Sequence, residues 1–193
     1  MDFEFSMGPP PEKEAFFFSL AGTLIRHDPS REIVLVNFLK ESGIEITMPV
    51  AKIAYLFADD DVPSKGYTVR SKEERDFYWR SYSSALLKNC KVEDPDEKIA
   101  EALSERLRSP KIWSSYYDAK PALESLKKLG CLVGVIANAE SNLTDALDNA
   151  GLSEYIDTVT TSEEAGVEKP DPAIFRKAMD KSGLDPKRCA YVG

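Results

Sequence analysis

Between residues 121 and 192, short amphipathic segments alternate with short apolar runs, and that alternation leaves the chain few architectures. Residues 121–129 read as a helix closed by Gly130, and residues 131–137 (Cys-Leu-Val-Gly-Val-Ile-Ala) as a strand. A helix over 141–150 closed by Gly151, a strand over 155–160, a helix over 172–182 and a last strand over 188–192 follow. Strands separated by single helices join in parallel through right-handed crossovers, so this part predicts an α/β domain on a parallel sheet.

The first strand of that sheet lies far upstream, over residues 15–20. It is apolar without alternation, as a strand covered on both faces should be. Past Gly22-Thr23 the periodicity is helical for about ninety residues. Helices are expected over 31–41, from Pro49 with Ile53, Leu56 and Phe57 on one face, from Ser71 to about Asn89, and from Asp94-Pro95 to near Arg108. Ser71 and Glu74 form a capping box, and residues 58–66 read as a polar break. The expected plan is a Rossmann-like α/β/α core over 15–27 and 119–193, a helical cap inserted over 28–118, and a loose leader over 1–14. Open parallel sheets place their sites at the carboxyl ends of strands. Residues 19–23, Ala137-Asn138, the loop around Lys169 and the end at Gly193 should therefore share one crevice, with the helical insert over it.

A formal charge of −8, from 33 acidic and 25 basic side chains, repels nucleic-acid phosphates and anionic lipid, so neither is expected as a partner. No run is apolar and long enough to span a bilayer, and the first residues lack the pattern of a signal peptide. Cys90, Cys131 and Cys189 are odd in number and far apart, which fits a reducing cytoplasm better than a disulfide framework or a zinc site.

Gly22-Thr23-Leu24, then Val135-Ile136-Ala137-Asn138, then Gly166-Val167-Glu168-Lys169-Pro170-Asp171-Pro172-Ala173-Ile174-Phe175, and finally Tyr191-Val192-Gly193 resemble, in that order, the haloacid dehalogenase superfamily. The likeness is to phosphatase-like members with a helical cap between the first and second motifs. It implies an Asp-x-Asp-Gly-Thr motif whose first Asp attacks phosphorus and helps hold magnesium, and whose second is the general acid and base. It further implies a Ser or Thr and a Lys that bind the phosphoryl oxygens, and an acidic residue past the fourth strand. On this sequence the nucleophile position holds Ser19 and the acid/base position Ala21. The hydroxyl position holds Ala137, beside the expected Asn138, and Lys169 matches the family lysine. The fourth motif would begin after Gly193, so the core is read as C-terminally truncated. A decayed gene product, a deliberately shortened form and a fragment all fit that reading.

These departures are severe. Ser19 needs an adjacent base, and Ala21 cannot accept a proton. Magnesium needs oxygen ligands, usually including carboxylates, so no cofactor is expected in this chain although intact relatives use magnesium. What remains is anion binding at Gly22, Thr23, Ala137, Asn138 and Lys169, with phosphate or a small phosphorylated metabolite as ligand. A non-catalytic binding or scaffolding role through the cap, the crevice or an open sheet edge is the alternative, with self-association through that edge. His27 is a remote candidate base for Ser19. Asp59-Asp60-Asp61 reads as a solvated turn, and Phe77, Tyr78, Trp79 and Tyr82 as a packing face of the cap. Trp113, Tyr116 and Tyr117 read as hinge packing.

Overall fold

The computed structural model describes residues 13–64, 71–139 and 143–193. The chain divides into two compact units, one holding the described residues up to Arg26 with Ser115–Gly193, the other His27–Ser114. The leader up to residue 12 lies outside the described residues.

In the first unit, four parallel strands lie in the order β5-β4-β1-β6: β1 (Ala15–Phe18), β4 (Leu132–Ala137), β5 (Thr158–Thr161) and β6 (Cys189–Val192). β1 sits centrally, with Phe17 opposite Gly134 on one side and Tyr191 on the other. Glu14 extends the ladder, donating its amide to Arg188 and accepting from Leu132. The helices that flank the sheet are α5 (Ala119–Lys128), α6 (Thr144–Asn149), α7 (Ser162–Ala165) and α8 (Pro172–Ser182). This is the parallel α/β arrangement that the alternation predicted. α8 lays Ile174 and Ala178 against Ala15, Phe17 and Ile136. Alternation along β4 sends Val133 and Val135, both buried, to the opposite face. The strand expected over 155–160 starts only at Thr158, because Ser153–Tyr155 forms a 3-10 turn. The helix expected over 141–150 is described from Thr144.

Gly134 is required by packing and not by its backbone angles. A Cβ there would lie 2.5 Å and 2.6 Å from two carbons of the Phe17 ring. The central phenylalanine therefore fills the space that a side chain on β4 would take.

The second unit is helical: α1 (Arg31–Glu41), α2 (Met48–Ser64), α3 (Lys72–Asn89) and α4 (Lys98–Leu107). Short strands β2 (Ile25–His27) and β3 (Trp113–Ser115) pair where the chain passes between the units, and sequence periodicity gave no sign of either. The Ser71–Glu74 capping box forms as read. Asp94 starts α4 by accepting from the amides of Ile99 and Ala100.

One expectation fails in α2. The helix runs through the supposed polar break to Ser64. Ile53, Leu56 and Phe57 lie on the outer side, 52%, 67% and 54% exposed, while Ala51, Ala54, Tyr55, Ala58 and Val62 are buried. Small side chains let α2 approach its neighbours closely, and closeness outweighed bulk in selecting the inner face. Asp59 is correspondingly not a loop residue. It pairs with Arg31 (2.7 Å) and accepts the Tyr82 hydroxyl proton. Burial and then the Asp59 contact hold the Tyr82 phenol well above its ordinary pKa. Of the aromatic series, Tyr78, Trp79 and Tyr82 cluster as expected, whereas Phe77 is exposed. Tyr117 is 92% exposed and does not pack. Among the described residues, no helix is long and apolar enough to cross a membrane.

His27 lies against Trp113, ring centroids 4.0 Å apart. Burial first, then the Arg31 charge, depress its pKa from 6.5, with Glu32 opposing. The folded state therefore favours the neutral imidazole, and the unfolded chain binds more protons near that pH. The stability from neutral His27 is present above pH 6.5, falls as pH drops through it, and levels off below the folded value. Urea denaturation from pH 7.5 to 5 should show a shallower loss of stability for His27→Gln than for the unsubstituted chain, where about pH 6.5 is the imidazole reference. The same measurement on Gly134→Ala should show a loss of about 1–3 kcal/mol from overpacking against Phe17.

Candidate functional site

The crevice is built where β1, β4 and β6 end, and each residue reaches it for a local reason. The Ser19 amide donates to the Val192 carbonyl, one rung beyond the β1–β6 pairing, which fixes Ser19 at the mouth of the sheet. The chain then turns. Gly22 takes φ +83°, a conformation that favours glycine, and Ala21 pairs back to Ile25 in an isolated bridge. The Gly22 amide donates to Ile25 and the Thr23 amide to Leu20, so these two donors are spent inside the turn. Among the described residues, the amides of Leu20 and Ala21 make no backbone hydrogen bond. The turn donors without a backbone partner thus lie immediately after Ser19, two residues earlier than the expected Gly22 and Thr23.

The third element is the loop from Gly166 to the start of α8. Gly166 closes α7 in the left-handed conformation, and Asp171 caps α8 by accepting from Ala173. Between them the Lys169 backbone is clamped by Asn138. The Lys169 amide donates to Asn138 Oδ1 (2.7 Å), and Asn138 Nδ2 donates to the Lys169 carbonyl (3.1 Å). Each end of the Asn138 amide thereby makes one bond to the Lys169 backbone, so this side chain positions Lys169. Ala137 is buried at the end of β4 and contributes only a methyl group.

The clamp delivers the Lys169 ammonium to the crevice. Its Nζ donates to Ser19 Oγ (2.9 Å), to the Ile136 carbonyl (2.9 Å) and to the Tyr191 hydroxyl (3.0 Å). Three acceptors match the three N–H bonds of an ammonium. The Tyr191 ring is set edge-on to Phe175 of α8, centroids 5.2 Å apart. Gly193 closes the far side: a Cβ there would fall 2.5 Å from Ser19 Cβ and 3.0 Å from the Tyr191 hydroxyl oxygen.

The structure thus brings Ser19 and Lys169 together, places Asn138 behind them, and leaves Ala21 exposed at the rim. Tyr191 was missed as a site residue. The only signal was its place in the last strand, two residues before Gly193. The group against Ser19 Oγ is Lys169; the ring contact of His27 is with Trp113.

The residues present do not fit magnesium. The two positions that would offer carboxylates hold a hydroxyl and a methyl, and an ammonium sits at hydrogen-bond distance from the hydroxyl. Among the described residues, no three His, Cys, Asp or Glu side chains converge as metal ligands.

The chain is 33% identical over 143 residues to the rhythmically expressed gene 2 protein of Drosophila melanogaster, covering 69% of this chain and 55% of that one. It is 31% identical over 103 residues to the glyceraldehyde 3-phosphate phosphatase of Methanopyrus kandleri, covering 52% of this chain and 44% of the relative. The chain therefore spans about half the length of these curated relatives. Among solved structures, the putative HAD-hydrolase YfnB from Bacillus subtilis, bound to magnesium, superposes with a TM-score of 0.73 at 17% identity, over 93% of this chain and 77% of that one. Residues 13–193 match the haloacid dehalogenase-like hydrolase family, and with the parallel sheet, the helical insert and the lysine loop in place, the chain belongs to it.

Proposed function

We propose that this chain keeps the oxyanion site of its family without the aspartyl chemistry, and works as a metal-independent binder of phosphate-like groups rather than as a phosphatase. One observation carries the reading: the Lys169 ammonium lies 2.9 Å from the hydroxyl at the nucleophile position, with no carboxylate between them. An ammonium whose three N–H bonds are engaged offers no lone pair to take the Ser19 proton. Ala21 offers none either. A phosphoserine formed at Ser19 would also lack the reactivity of an acyl phosphate, so turnover would stall. The same groups suit binding. A fixed cation lies beside two hydroxyls, and the amides of Leu20 and Ala21, which have no backbone partner among the described residues, follow Ser19 directly. Small phosphorylated metabolites are the ligand class, as the name of the Methanopyrus relative suggests for that protein. The three free cysteines fit a reducing compartment such as the cytoplasm.

A scaffolding role is the second reading. The outward face of α2, with Ile53, Leu56 and Phe57, favours it, as do the exposed Tyr191 and Val192 on edge strand β6. Self-association through that edge belongs to this reading.

Two measurements test the first reading. Hydrolysis of a generic phosphomonoester should stay at background with or without magnesium, and Ser19→Ala should leave that background unchanged. Magnesium-dependent turnover that disappears in Ser19→Ala would overturn the proposal. Millimolar phosphate should raise Tm through mass action, by a few degrees once its concentration far exceeds Kd, and Lys169→Met should abolish the shift.

A further inference from the structure

The helical unit leaves one apolar face uncovered. α2 buries Ala51, Ala54, Tyr55, Ala58 and Val62. At about 3.6 residues per turn, that inner face turns Pro49, Ile53, Leu56 and Asp60 outward, with Lys52 and Phe57 at the two margins, and all of these are exposed. Ile53, Leu56 and Phe57 thus put three large apolar side chains within five residues. Elsewhere among the described residues, exposed large apolar side chains stand singly or as the neighbours Tyr191 and Val192 on β6. Scattered apolar side chains are ordinary on a protein surface, whereas a contiguous stripe rimmed by polar groups marks a contact.

The charges on that stripe say what fits it. Two copies of a chain with formal charge −8 repel at long range. A contact between them therefore needs an apolar centre and locally opposite charges, and α2 presents both. Lys52 stands one residue before Ile53, and Asp60 four residues after Leu56. Turning a second α2 antiparallel, about a two-fold axis midway between Ile53 and Leu56, sets Ile53 of each copy against Leu56 of the other. The same rotation lays Asp60 against Pro49 of the other copy. Lys52, one turn along from Pro49, then comes within side-chain reach of that carboxylate, and symmetry makes the pair twice. A parallel pairing would set Lys52 beside Lys52 and Asp60 beside Asp60.

We infer that the outward face of α2 is a self-complementary contact that pairs this chain with a second copy of itself, antiparallel about an axis between Ile53 and Leu56. The inference is independent of the oxyanion site. It rests on the scaffolding reading, to which it gives a partner and a surface other than the β6 edge. A contact of one helix per copy is small, so the dimer is reversible and depends on concentration.

Sedimentation of the full chain over about 1 μM to 1 mM should give a mass that rises from one chain to two. Leu56→Asp should hold it at one chain across that range, with an unchanged melting temperature showing that the variant is folded. Lys52→Glu and Asp60→Lys should each weaken pairing about tenfold, because each sets like charges together at two places. An equal mixture of these two variants should recover it, since the mixed dimer carries opposite charges at both contacts. Indiscriminate apolar association would show no such recovery, and its absence would overturn the two-fold arrangement. A dimer that survives Leu56→Asp but is lost in Val192→Lys lies on the β6 edge, which overturns the α2 pairing while the scaffolding reading stands. A single-chain mass in every sample overturns the α2 pairing and removes self-association from the scaffolding reading as well.

Discussion

The ends of three strands are tied by one ammonium. Lys169 reaches Ser19 just past β1, the Ile136 carbonyl in β4 and the Tyr191 hydroxyl in β6. Its backbone is locked to Asn138 at the end of β4. Neutral partners change the electrostatics of this arrangement. Against a carboxylate, a lysine would be largely neutralised; against a hydroxyl, a carbonyl and a phenol, its charge stays uncompensated at close range. A chain with a formal charge of −8 thus keeps a local positive point at the mouth of its sheet. That inversion underlies the poor fit to magnesium and is what supports the proposed role in holding anions.

The helical unit depends on different physics. Its interior is closely packed, with Leu35, Leu39, Leu86 and Leu103 fully buried, and small alanines bring α2 in close. At one end a polar network replaces hydrophobic contact. Arg31 pairs with Asp59 and lies 4.4 Å from the centre of the Tyr55 ring, the Tyr55 hydroxyl donates to the Arg31 carbonyl, and Tyr82 donates to Asp59. Each partner satisfies another, which is how polar groups are kept next to a core at acceptable cost. The larger apolar side chains of α2 are left on the outside, the feature that best supports a partner-binding role.

Much of this was legible beforehand, and the failures share a cause. The helices at 31–41 and 172–182 matched to the residue, because caps and periodicity are local. The capping box at Ser71 formed for the same reason. Which face of α2 turns inward was not legible in the sequence, because the buried positions hold mostly small residues and the larger Ile53, Leu56 and Phe57 lie outside. The ribbon of β2 and β3 left no periodic trace, since three-residue strands pair residues nearly ninety positions apart. At the site, Ser19, Ala21 and Lys169 were identified by motif order. The roles of Asn138 and Tyr191, and the shift of free amides from Gly22 and Thr23 to Leu20 and Ala21, depended on hydrogen bonds that close only in three dimensions.

Alone, the sequence determined that a parallel α/β core is interrupted by helices, and that a hydroxyl and a methyl stand where two carboxylates would act. Those properties follow from residue identity and local periodicity, which need no long-range contact. Only the tertiary structure decided what the lysine does with its charge. A long, flexible ammonium takes whichever acceptors the converging strand ends present, and those lie up to 150 residues away along the chain.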